Sequence, residues 1–164
     1  MKLLTPLACA ALLVTSTAAS SANLVETAKS AGQFSILLKA ATAAGADKML
    51  TQPGPYTVFA PTDAAFNALP PGTLDMLMKP ENKDMLMKVV GYHTLFGRLT
   101  TQDLKDNKSA AGTTNGQPVV LEKKGGAVMV NEAKIVQADV KADNGVIQVI
   151  DKVLLPPMPV QPKT

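Results

Sequence analysis

Four thioethers stand close together in the stretch DMLMKPENKDMLMK, from Asp75 to Lys88, as Met76, Met78, Met85 and Met87. Thioether sulfur is a soft ligand that suits Cu(I), and a Met-x-Met spacing aims two sulfurs the same way on an extended strand. On a helix the same spacing sets them about 200° apart. The surrounding residues read as helix, so each pair diverges, with one member expected to pack and the other to stay partly exposed. His93 is the single histidine and Cys9 the single cysteine. A zinc site takes three or four nitrogen, sulfur or carboxylate ligands, and one imidazole without a thiolate would need several carboxylates around it. Neither a metal nor a cofactor is expected.

As a general base His93 would need a nucleophile beside it. Ser30, Ser35 and Ser109 stand in no G-x-S-x-G or comparable turn, so no catalytic residue can be named and the chain does not read as an enzyme. His93 reads instead as a buried or half-buried ring hydrogen-bonded at the end of a helix, with Asp63 or Thr62 as its polar partner.

The elements that must position these residues follow from the pattern of the chain. Residues 1–22 read as a secretory signal: Lys2, an apolar run from Leu3 to about Val14, then small residues ending at Ala22. The run is shorter than the roughly 20 residues that cross a bilayer. Cys9 lies inside it and leaves with it. From Asn23, an N-cap, a helix is expected to about Ala31. A second, carrying Phe34, Leu37, Leu38 and Ala41, should run to Gly45. Tyr56 to Phe59 reads as a buried strand, and Thr62 or Asp63 caps a short helix anchored by Phe66. Pro80 separates the two DMLMK copies onto different helices. Asn115-Gly116 and Gly125-Gly126 mark hairpins between short β-branched segments, and Asp143-Asn144-Gly145 separates two more. Helices first and a strand meander second predict an α+β fold. The proline-rich residues 158–164 form a flexible tail.

The formal charge is +3, to which Lys2 contributes one, and Arg98 is the only arginine among interspersed lysines and acids. Without an arginine cluster or a basic stripe, nucleic acid is not a partner.

YTVFAPTDAAFNAL at 56–69, Tyr92-His93, and NGVIQVIDKVLL at 144–155 stand in the order of the signature boxes of the fasciclin domain. Residues 23–157 resemble that family. The resemblance implies a wedge of two small twisted β-sheets with several helices packed around it. Thr62, Asp63, Phe66, His93, Asn144 and Gly145 would then be structural signature residues. It also implies a non-enzymatic adhesion domain, secreted or periplasmic, for a cell-surface or matrix protein or polysaccharide. By analogy with animal relatives, the adhesion candidates are Tyr92, His93 and the pair Asp139-Val140. Lys123-Lys124 reads most simply as a solvated hairpin tip, with contact to an acidic glycan as the alternative, and Asn144-Gly145 reads as a turn. The chain is expected to be a monomer that does not span a membrane. The alternative function is a soluble carrier or sensor of a small apolar ligand, held in a Met-rich helical pocket.

Overall fold

The computed structural model describes residues 22–104 and 108–157. The signal apart from Ala22, Cys9 within it, and the tail 158–164 lie outside the described residues. Helix α1 (Leu24–Ala31) opens where the Glu26 N–H donates to Asn23 Oδ1 (3.0 Å) and closes at Gly32, whose φ of 72° suits a residue without Cβ. Helix α2 (Ser35–Ala44) has no local side-chain cap. Its cap comes from across the chain: Asp63 Oδ1 accepts from the Ile36 N–H at 2.8 Å. A single turn, α3 (Asp47–Leu50), follows.

Next come β1 (Tyr56–Pro61), α4 (Asp63–Asn67) and α5 (Thr73–Leu77). Thr62 caps α4, accepting from the Ala65 N–H at 3.3 Å. Pro80 begins a 3-10 turn at Pro80–Asn82, so the two DMLMK copies fall on α5 and on α6 (Lys83–Tyr92), as the missing proline N–H requires. Met78 and Met85 pack against the helical core, while Met76 and Met87 are exposed.

The strands β2 (Thr94–Phe96), β3 (Lys108–Gly112), β4 (Pro118–Lys124), β5 (Ala127–Val130), β6 (Ala133–Ala142) and β7 (Gly145–Ile150) complete the domain. They hydrogen-bond in the order β2-β1-β7-β6-β5-β4-β3. The series forms two sheets that share β6, one of β2-β1-β7-β6 and one of β6-β5-β4-β3. Register shifts along β6 between Ile135 and Val140 let it leave one sheet for the other. A bridge between Leu95 and Thr113 brings the two outer ends together.

From β3 to β7 the strands form the expected antiparallel meander, but β1 pairs with β7 in parallel. Every residue of both strands is buried. One side of this pair carries the helices, with Val58, Ala60, Ile147 and Val149 against Leu24, Phe34, Leu37 and Leu86. The other carries Phe59 and Ile150 against Leu95, Val119, Leu121 and Val130 of the second sheet. Burial on two faces explains why YTVFAP and GVIQVI lack an apolar-polar alternation.

Asn144 joins the pieces at the start of β7. Its Nδ2 donates to Leu50 O (2.7 Å) and Gln52 O (2.9 Å) at the end of α3, and its Oδ1 accepts from the Leu24 N–H (2.9 Å) of α1. Its backbone carbonyl accepts from Tyr56 N at the start of β1 (3.0 Å). Gly145 sits so close to β1 that a Cβ there would run into the Tyr56 carbonyl. The turn falls on Asp143-Asn144, one residue earlier than expected, with Gly145 already in β7, and Asn144 is also a clamp on three elements. Asn144→Ala orphans two carbonyls and one N–H and is expected to cost about 2–3 kcal/mol of stability. Urea unfolding checks this, and an unchanged midpoint would refute the clamp.

Candidate functional site: the Tyr-His clamp and the Asp139 cluster

Helix α6 ends by sending two polar rings inward. Tyr92 and His93 are only 4% and 2% exposed. The Tyr92 hydroxyl donates to Pro118 O (3.3 Å) and accepts from Asn131 Nδ2 (3.0 Å), tying the helix to β4 and to the β5–β6 turn. His93 turns the other way. Its Nδ1 lies 2.7 Å from Val89 O, one helical turn back, and its Nε2 accepts from the Leu154 N–H at 2.9 Å. A carbonyl can only accept and an amide N–H can only donate, so these partners select the neutral tautomer with hydrogen on Nδ1. Burial pushes the imidazole down to about 4, although the Val89 carbonyl works in the opposite direction.

The sequence-based partner for His93 was wrong. Asp63 and Thr62 are both engaged elsewhere, capping α2 and α4. The ring instead uses two backbone groups, one of them sixty-one residues away. With both nitrogens committed, His93 has no lone pair to offer as a base.

Asp139 stands at the bulge of β6 with φ of 56°, one of two non-glycine residues with positive φ among the described residues. Its carboxylate is turned toward the loop that follows β2. Oδ1 accepts from Thr101 N (3.0 Å) and Gln148 Nε2 (2.8 Å), and Oδ2 accepts from Thr101 Oγ1 (2.6 Å). The Gln148 side chain also accepts from Asp139 N and donates to Leu99 O. Partial burial works against ionisation. The Thr101 and Gln148 hydrogen bonds, with Lys141 nearby, outweigh it and hold the carboxyl below its usual range. Val140 is half-buried and packs on the helical core.

Of the four adhesion candidates, then, Tyr92 and His93 lie inside the domain, and Asp139 and Val140 are half-buried with the carboxylate engaged. Phe66 is a buried anchor of α4. The groups that sequence reasoning missed are Asn131, Gln148 and Thr101. Asn131 and Gln148 lie in strand-rich segments where single polar residues give no local signal of a partner.

The space beneath α1 and α2, bounded by Leu24, Leu37, Val58, His93 and Ile147, measures about 20 Å³. That is room for one water, far below the 300–1,000 Å³ of typical ligand sites. Met76, Met78, Met85 and Met87 do not line it. Among the described residues no three His, Cys, Asp or Glu side chains gather as metal ligands, and no helix is long and apolar enough to cross a membrane.

A small α+β module whose polar signature residues fasten its two cores is the class that this geometry defines. The Fasciclin domain family model matches residues 32–156, and the chain belongs to that family. Protein sll1483 of Synechocystis sp. is 45% identical over 139 residues, covering 85% of this chain and 76% of that protein. Human periostin is 32% identical over 135 residues, covering 82% of this chain and 16% of periostin. Among solved structures, a FAS1 domain pair from the insect cell adhesion molecule fasciclin I has the same fold. Its TM-score is 0.73 at 18% identity, over 82% of this chain and 51% of that one. Helix α1 precedes the matched segment, yet it buries Leu24 and Ala28 in the helical core.

Because its pKa is depressed on folding, His93 makes stability depend on pH. Below the unfolded value of 6.5 the unfolded chain takes up a proton that the folded ring refuses until about pH 4. The contribution is complete above pH 6.5 and falls through that window by about 3 kcal/mol. Urea unfolding between pH 7 and 4 should show this slope, and His93→Gln should flatten it while lowering stability throughout. An equal slope in the variant would remove His93 as its source.

Proposed function

We propose that the protein is a secreted or periplasmic, monomeric, non-enzymatic adhesion domain. It binds a cell-surface or matrix protein or a polysaccharide through exposed loops and strand faces. The observation that carries this reading is the commitment of His93. The single histidine is sealed at both nitrogens by backbone groups and is not free to take a proton from a substrate. Membership of the fasciclin-domain family supports it, and the fold neighbour comes from a cell adhesion molecule. The leader read in residues 1–22 supports export.

Surface groups rather than buried signature residues then make the contacts. Phe96 is 70% exposed, its ring leaning on Tyr56 with centroids 5.9 Å apart. The lysines of the β4–β5 hairpin and of β6 also face outward or half-outward. Immobilised protein is expected to retain fragments of its own cell envelope better than an unrelated domain of equal net charge. Equal retention by the two would overturn the adhesion reading.

A further inference from the structure

A groove of about 360 Å³, open to solvent, lies between the β4–β5 hairpin and the loop that follows β2. Thr101, Gln102 and Lys123 supply its polar lining, and Val128, Ile135 and Ala138 its apolar lining, with Val128 almost fully buried. Lys123 is the only charged residue in its lining among the described residues. The one ion pair among the described residues joins Lys108 to Glu122, so no carboxylate there neutralises Lys123. Its ammonium makes one contact, to Thr101 O at 3.5 Å, which is at the outer limit for a hydrogen bond.

The Thr101 wall is set before any ligand arrives. Asp139, which does not line the groove, holds both the backbone N–H and the hydroxyl of Thr101 from behind. The Thr101 oxygen still has acceptor capacity toward the groove. Gln102 is exposed, and its side-chain amide has no hydrogen-bond partner among the described residues. Among the described residues, the site therefore combines one cation without an ion-pair partner, a fixed hydroxyl, an unused amide and apolar lining, in a volume within the usual range for small ligands. An inorganic anion would use the cation and leave the rest idle.

We infer that this groove binds a carboxylated sugar unit of an acidic polysaccharide. Lys123 takes the carboxylate, Gln102 and Thr101 take ring hydroxyls, and Ile135 and Ala138 take the C–H face of the ring. The inference rests on the adhesion reading and narrows its partner to acidic glycan. Asp139 becomes a positioning residue that shapes the groove through Thr101.

The test is calorimetric titration of the protein with trimers of galacturonate, glucuronate and mannuronate, and with maltotriose as the neutral counterpart. At least one uronate trimer is expected to bind and maltotriose not to. Lys123→Gln should weaken uronate binding about tenfold, the scale of one charge-assisted hydrogen bond. Lys39→Gln, an equal loss of charge at an exposed position of α2, should leave it unchanged. Failure of every uronate, equal binding of maltotriose, or equal loss in the two variants overturns the site. If the groove fails while envelope fragments are still retained, the adhesion reading survives without it; if retention is also absent, both fall.

Discussion

The parallel pairing of β1 with β7 is the constraint on which the rest of the domain depends. It brings together segments some ninety residues apart in the chain, and it leaves both strands with two faces to bury. Helices must cover one face and a second sheet the other. That requirement alone produces two cores rather than one, and it forces β6 to bend at its register shifts so that it can serve both sheets. The approach at the start of the pair is tight enough that only glycine fits at Gly145, and a Cβ at Gly54 would meet the Asn144 carbonyl.

Burial on two faces also decides what becomes of the polar residues. A strand pair with no wet face cannot leave a side-chain donor or acceptor unmatched without a penalty of about 1–3 kcal/mol. Thr57 therefore accepts from the Leu99 N–H and donates to Gly97 O, and Gln148 bridges Leu99 to Asp139. Asn144 and His93 perform the same service at the two ends of β7. Residues that look like chemistry in one dimension are fasteners in three. Residues 97–101 after β2, held by Thr57, Gln148 and Asp139 in turn, form a wall beside the β4–β5 hairpin and so shape the outer surface.

Much of the first half was legible because its signals are local. Asn23, Gly32, Gly45, Thr62 and Pro80 begin or end helices through groups within a turn of themselves, and each acts where the chain pattern placed it. The Gly125-Gly126 hairpin is equally local, with positive φ at both glycines. The strands β2 and β3 were not legible. Thr94–Phe96 is only three residues long, and Lys108–Gly112 is built from small residues that acquire strand geometry from their pairing with β1 and β4. The single turn α3 is too short to show a period.

The sequence by itself determined the order of the main helices and of strands β1 and β4 to β7, the diverging methionines, the family resemblance and the lack of a recognisable catalytic motif, because cap chemistry, periodicity and signature boxes are written in neighbouring letters. Only the tertiary structure decided the parallel β1–β7 pair and the backbone partners of His93. It also turned the Asp139 carboxylate toward Thr101 and left Lys123 as the one charged residue lining its groove among the described residues. Each of these depends on contacts between residues about twenty to ninety positions apart. No local pattern encodes which distant N–H or carbonyl will meet a given side chain once both faces of a strand are closed.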